Sequence, residues 1–296
     1  MSVLEIKGLK KSFGNKEVLR ALDLVIPENC IFGFVGANGS GKTTTMKAVL
    51  GLLPADSGEI YVCGNKVKFG ETDTNRYVGY LPDVPEFYGF MSAREYLRLC
   101  GESLAMKKDD IEARCDELLS LVGLADEKSR IKGYSRGMKQ RLGIASALFG
   151  RPRLLICDEP TSALDPVGRK EILDILLSVK EQTTVLFSTH ILTDVERICT
   201  HVALLHEGRI AMCGGVEELK KRKTDGGFTV EVSDAKALCD AFANARVFSD
   251  GSVFFGGGDA EMYAVIDFVR EKGIILRSLK RSEETVESLF LEAVKK

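Results

Sequence analysis

The stretch Gly36-Ala37-Asn38-Gly39-Ser40-Gly41-Lys42-Thr43 carries the spacing GxxxxGK[ST], and every fixed position in it has a chemical use. Glycines let the backbone curl until successive N–H groups face one point, and a helix starting behind them adds partial positive charge there. Lys42 brings an ammonium to the β- and γ-phosphates of a nucleotide, and Thr43 brings a hydroxyl suited to magnesium. A glycine-rich turn holding a chance lysine is the plain alternative. It leaves the surroundings unexplained: Ile31 to Val35 is an apolar, strand-like run, and Thr44 to Leu50 reads as a helix.

More candidate chemistry lies on either side of the loop. Asp158 and Glu159 close the apolar run Arg153 to Cys157, at the carboxyl end of a strand where side chains emerge into the crevice that nucleotides occupy. Asp158 there suits magnesium, directly or through water, and Glu159 suits polarisation of an attacking water. His190 ends the next apolar run, Thr184 to Ser188. Alone it fits a turn residue equally well; in this order it fits a γ-phosphate contact that positions the water. Phe13 fits either a ring that stacks on adenine or a core residue.

The elements that must hold these groups follow from periodicity. Val3 to Lys7 and Val18 to Ile26 alternate as strands, with Phe13 in the turn between them. Ile60 to Cys63 and Arg76 to Leu81 read as further strands, the second stopped by Pro82 and Pro85. From Ser92 to Gly150 the pattern is helical. It opens on Ser92-Ala93-Arg94-Glu95, the spacing of a capping box, and places Ile111, Cys115, Leu118, Leu119 and Val122 on one face before Gly123. Arg169 to Lys180 is amphipathic, so strand, helix and strand form the crossover of a parallel α/β sheet. After the basic run Lys220 to Lys223, Asp225-Gly226-Gly227 marks a domain boundary. Beyond it the order is βαββαβ, that of a small α+β ferredoxin-like domain, ending in a further helix.

Composition narrows the partners. The chain has 296 residues with 41 basic and 43 acidic side chains, a net charge of −2, so no strong field favours nucleic acid or anionic lipid. Its eight cysteines stand singly, without CxxC or zinc spacing, and read as small buried residues in a reducing compartment. No basic-then-apolar leader opens the sequence, and nowhere do eighteen uncharged apolar residues run together. The expectation is a chain that is neither secreted nor membrane-spanning by itself. A GTPase switch is disfavoured because Asn15-Lys16 and Asn65-Lys66 lack the aspartate of NKxD.

Tyr134-Ser135-Arg136-Gly137-Met138-Lys139-Gln140-Arg141-Leu142 resembles the signature motif, LSGGQ in its common form, of the ABC-type ATPases. It matches at Ser135 and Gly137 and departs at Tyr134, Arg136 and Met138, as exporter-type members do. Over about residues 3–220 the ordered motifs resemble one ABC cassette. The resemblance implies a P-loop NTPase domain over 1–222, with a helical subdomain inserted at about 85–150, and an accessory domain over 225–296. It implies ATP and Mg2+ as ligands, Phe13 against the adenine, Gly36 to Thr44 around the phosphates, and Thr43 and Asp158 at the metal. It further implies catalytic roles for Glu159 and the switch residue His190, and a D-loop of Ser162 to Asp165. Ser135, Arg136, Gly137 and Met138 would act in trans, on the nucleotide of a second ATPase subunit, most simply a second copy of this chain. Integral membrane permease subunits would supply the transport path, placing the protein in the cytoplasm against the inner face of the membrane, with no nucleic acid partner. Where the family usually has glutamine after the strand ending at Leu81, this chain has Asp83, which can meet magnesium-bound water but, ionised, cannot donate. The competing expectation is an ABC-type ATPase acting on ribosomes or DNA. Such proteins usually carry two cassettes or a long coiled-coil insertion, and this chain has one phosphate loop and neither addition.

Overall fold

Alternating apolar positions build the first hairpin of the computed structural model, which describes residues 2–71, 73–221, 227–248, 251–282, 286 and 289–290. β1 (Ser2–Phe13) pairs antiparallel with β2 (Lys16–Pro27), with Phe13 opposite Lys16. The turn is only Gly14-Asn15, so Phe13 closes a strand instead of sitting in a loop; Gly14, at φ 57, takes the left-handed conformation that tightens the reversal. β4 (Ser57–Val62) and β5 (Asn65–Lys66) extend this into a four-stranded sheet, β2-β1-β4-β5. Ile6, Leu9, Leu22 and Ile60 bury its inner side.

A second sheet has six strands in the order β10-β9-β3-β8-β7-β6. These are β3 (Ile31–Val35), β6 (Val78–Leu81), β7 (Leu154–Asp158), β8 (Thr184–Thr189), β9 (His201–His206) and β10 (Arg209–Gly215). Only β10 runs antiparallel, on one edge. Every residue of β3, β7 and β8 is buried, which is why these segments read as unbroken apolar runs. α1 (Lys42–Val49), α5 (Pro166–Val179) and α6 (Leu192–Ile198) leave the carboxyl ends of β3, β7 and β8. α5 starts before the expected Arg169, because Asp165 Oδ1 accepts from Gly168 N at 3.0 Å and Pro166 occupies the first turn. The topology sets β8 between β3 and β7, with Val35 beside Thr189 and Ser188 beside Asp158. Three loops far apart in sequence therefore open on one edge.

Three helices lie between β6 and β7: α2 (Ala93–Ser103), α3 (Lys108–Leu121) and α4 (Arg136–Leu148). The capping box forms, Ser92 and Glu95 each bonding the other's backbone N–H. The predicted α3 face, Ile111 to Val122, is buried, and Gly123 follows at φ 62. α4 lies close on β6: a Cβ at Gly79 would stand 2.1 Å from Ala147 O, and one at Gly143 would stand 2.4 Å from Leu81 Cδ1.

After β10 and α7 (Val216–Lys221), the chain has passed into a second compact unit, the division falling after Val216. That is earlier than the expected boundary, whose residues Arg222 to Gly226 lie outside the described residues, and Val216 N still bonds Thr200 O. The second unit contains β11 (Gly227–Val232), α8 (Ala235–Ala241), β12 (Ala245–Val247), β13 (Val253–Gly256), α9 (Asp259–Glu271) and β14 (Leu276–Ser282). Its strands pair antiparallel throughout, in the order β12-β13-β11-β14, over a core of Phe228, Val230, Leu238, Phe255 and Val265. β14 begins later than Ile274 because Gly273, at φ 64, closes α9 and Ile274 N bonds back to Val269 O. Of the expected last helix only Val286, Leu289 and Phe290 are described; the rest lies outside the described residues.

The cysteines are all unpaired. Cys30, Cys115, Cys157 and Cys199 are buried as expected, but Cys63, Cys100 and Cys239 are half-buried and Cys213 is exposed on the edge strand β10, a correction to the uniform expectation. Among the described residues, no helix is long and apolar enough to cross a membrane.

Candidate functional site

The loop after β3 is shaped by what a side chain would strike. A Cβ at Gly36 would lie 2.6 Å from Leu205 O, and one at Gly41, at φ 112, would lie 2.7 Å from Leu19 Cδ2. Only glycine allows the backbone this close to β9 and β2. Ala37 O receives Ser40 N at 3.1 Å, and Thr45 Oγ1 donates to Gly41 O at 2.9 Å, fixing the start of α1.

Lys42 is almost buried, with 6% of its side chain exposed. Its Nζ donates to Gly36 O at 2.7 Å and Ala37 O at 3.3 Å, and stands 3.2 Å from Glu159 Oε1. Thr43 Oγ1 donates to Asp158 Oδ2 at 2.7 Å, while Ser188 Oγ donates to Asp158 Oδ1 at 2.7 Å. Ser188 Oγ also accepts from Glu159 N at 2.9 Å, holding a residue whose φ of 48 is costly for a glutamate. Glu159 Oε2 meets His190 Nδ1 at 2.8 Å. Glu159 Oε1 is buried and faces the Lys42 ammonium at 3.2 Å without an aligned hydrogen bond, so this carboxylate oxygen keeps acceptor capacity. Lys42, Thr43, Asp158, Glu159 and His190 thus form one connected cluster.

The cluster borders a cleft of about 620 Å³. The hairpin contributes Phe13, Lys16 and Val18; the loop and α1 contribute Asn38, Gly39, Gly41, Lys42, Thr43 and Thr44; Asp83, Asp158 and Glu159 complete the lining. Phe13 is 50% exposed, so it is not a core residue, and Lys11 Nζ stands 5.5 Å from its ring. Gly36, Ala37 and Ser40 support the lining without joining it, and His190 reaches it through Glu159. The Tyr80 hydroxyl on β6 is pushed up to about 12, chiefly by burial and then by the negative charges of Asp158 and Asp83.

The signature residues stand apart from this lining. Ser135 caps α4, its Oγ accepting from Met138 N at 3.2 Å. Gly137 faces the loop that Asp165 closes: a Cβ there would lie 4.0 Å from Leu164 Cδ2. One link joins the two regions. Arg136, the first residue of α4, pairs with Asp83 Oδ1 at 3.2 Å, and the fully buried Gln140 donates from Nε2 to Asp83 O at 2.6 Å.

Sequence reasoning missed Ser188, Lys16 and Val18, and gave Gln140 of the signature stretch no partner. Ser188 had a signal, a hydroxyl one residue before the end of an apolar strand, but its partner depends on β7 lying alongside. Lys16 follows from the hairpin register opposite Phe13.

Comparison with known proteins gives the same picture. The family model described as ABC transporter matches residues 19–162. The ABC transporter ATP-binding protein YxlF of Bacillus subtilis is 36% identical over 302 residues, 99% of each chain. The bacitracin transport ATP-binding protein BcrA of Bacillus licheniformis is 32% identical, covering 99% of this chain and 97% of that one. A solved structure of the ATP binding subunit of an ABC transporter aligns with a TM-score of 0.67 at 30% identity, over 75% of this chain and 93% of that chain.

Proposed function

We infer how the cleft works from the premise that the chain belongs to the ABC transporter family, as an ATP-binding and ATP-hydrolysing subunit that powers transport through separate membrane subunits. The curled loop from Gly36 to Thr44 would wrap the phosphates with its N–H groups, with Lys42 exchanging its contacts to Gly36 O and Glu159 for phosphate oxygens. Phe13 would stack on the adenine, with Lys16 and Val18 beside it. Thr43 and Asp158 would hold Mg2+. Their oxygens already meet at 2.7 Å, and a hydroxyl beside a carboxylate is a hard donor set of the kind Mg2+ takes. The ion, when bound, supplies positive charge to the phosphate oxygens.

Glu159 would accept a proton from the attacking water through Oε1, and His190 would orient the γ-phosphate end of the site. The observation that carries this reading is the continuous contact from Thr43 through Asp158 and Ser188 to Glu159 and His190. The roles of Ser135, Arg136, Gly137 and Met138 in a second subunit's site, and of Asp165 beside them, rest on the motif resemblance. Asp83 would serve where glutamine usually stands, meeting the metal's water shell while holding Arg136.

For the domains we propose a cassette over 1–222 with helices α2 to α4 as its helical subdomain, about 85–150, and a ferredoxin-like accessory domain over 225–296. The βαββαβ order and the antiparallel β12-β13-β11-β14 sheet support the last of these. A homodimer docked on permease subunits at the cytoplasmic face, working as an exporter, accords with the exporter-like departures at Tyr134, Arg136 and Met138 and with relatives named for bacitracin transport. The test is phosphate release from Mg-ATP by the purified chain. Glu159→Gln lowers kcat by about 10²–10⁴-fold while nucleotide stays bound, as loss of a general base requires; hydrolysis at the wild-type rate removes Glu159 from the mechanism.

A further inference from the structure

Asp194, in the first turn of α6, is a carboxylate with 2% exposure that no step above uses. A buried carboxylate persists only where its oxygens are fully occupied. Here Oδ2 accepts from Thr161 Oγ1 at 2.9 Å and Oδ1 from Arg169 Nε at 2.6 Å, while Arg169 Nη2 also donates to Thr193 Oγ1 at 2.9 Å. Neither oxygen caps its own helix: the residue in the capping position of α6 is Ile191, without a side-chain bond. Asp194 instead joins α6 to the loop after β7 and to α5.

The sequence positions give these bonds their meaning. Thr161, itself 1% exposed, is two residues past Glu159, separated from it by Pro160. Asp194 is four residues past His190. Glu159 holds a φ of 48, and Ser162 N bonds Glu159 O at 3.0 Å, so the loop is a tight turn kept in an unfavourable conformation by its contacts. The 2.8 Å contact between Glu159 and His190 joins two loops from different strands, and the Thr161–Asp194 bond ties the first of these loops to α6, the helix into which the second leads. A shift of either loop moves both contacts together.

We propose that Asp194 is a positioning residue for the hydrolytic step: by accepting from Thr161 and Arg169 it sets the loop bearing Glu159 against the loop bearing His190. The proposal rests on the roles given above to Glu159 and His190. Removing the tie shifts Glu159, while Lys42 keeps its bonds to Gly36 O and Ala37 O, so turnover falls and nucleotide affinity does not.

The experiment pairs Thr161→Val, which removes the donor and keeps the shape, with Thr161→Ser, which restores it. Thr161→Val lowers kcat by up to about 10²-fold, the scale on which small misplacements act, with unchanged nucleotide affinity, and Thr161→Ser recovers it. In a His190→Ala background Thr161→Val adds no further loss, because the contact it sets is gone. Asp194→Asn reproduces the Thr161→Val defect. The imidazole 15N shifts of His190, which read its bond to Glu159 without any turnover, move in Thr161→Val and return in Thr161→Ser. Equal losses with and without His190, or unmoved imidazole shifts, overturn the proposal. A wild-type chain that does not hydrolyse ATP sinks the functional reading instead, and the imidazole shifts still decide the tie.

Discussion

Ser188 shows how the site depends on a residue that does not touch the phosphates. Its hydroxyl hydrogen goes to Asp158 and its lone pair receives Glu159 N, so the two acidic residues proposed to face metal and water are set by one atom. Ser188→Ala leaves Asp158 Oδ1 short of a donor in a buried place and Glu159 N with only Ser188 O, at 3.2 Å. Leaving the buried Asp158 oxygen short of its donor costs about 1–3 kcal/mol. The expected outcome is a lower melting temperature together with a lower kcat, measured on one preparation; a turnover number equal to wild type contradicts the role. The groups whose use is fixed by their own chemistry, from Gly36 to Thr43 with Asp158, Glu159 and His190, were legible from the sequence because spacing and strand ends suffice to find them. Ser188 and Asp194 were not, since a hydroxyl or carboxylate in a run of letters names no partner until the neighbouring strand or loop is known.

At the scale of elements, the loop after β6 and the start of α4 act as one piece. Asp83 lines the cleft, and its carboxylate and carbonyl both reach α4, through Arg136 and Gln140. Arg136 is a cation at the positive end of a helix with no acidic residue in its first turn, an arrangement that is unfavourable without an anion beside it. Asp83 supplies that anion. Asp83→Ala therefore disturbs the signature end of α4 as well as the cleft. We expect impaired transport in reconstituted complexes with ATP binding preserved, measured by substrate flux and nucleotide affinity in parallel; unchanged flux contradicts a coupling role. The capping box at Ser92, the buried α3 face and the Gly123 stop were readable because they are local. The close approach of α4 to β6 at Gly79 and Gly143 was not, because a glycine in a strand or helix does not say which neighbour, the Ala147 carbonyl or the Leu81 side chain, comes near it.

For the whole molecule, the decisive fact is sheet order. β8 between β3 and β7 gathers the phosphate loop, the acidic pair and His190 along one edge, and no local pattern states that order. The βαββαβ succession of the second unit was legible, whereas its strand order was seen only in the structure. On the proposed reading two chains would close on two nucleotides, each lending its signature residues to the other's cleft. Binding would then drive closure, and hydrolysis would release it. The most direct measurement is the mass of Glu159→Gln in Mg-ATP, by light scattering after size exclusion, with bound nucleotide counted. The account predicts a dimer retaining two ATP, lost on adding Ser135→Arg to the same chain. A monomer that retains ATP, or a dimer indifferent to Ser135→Arg, contradicts it.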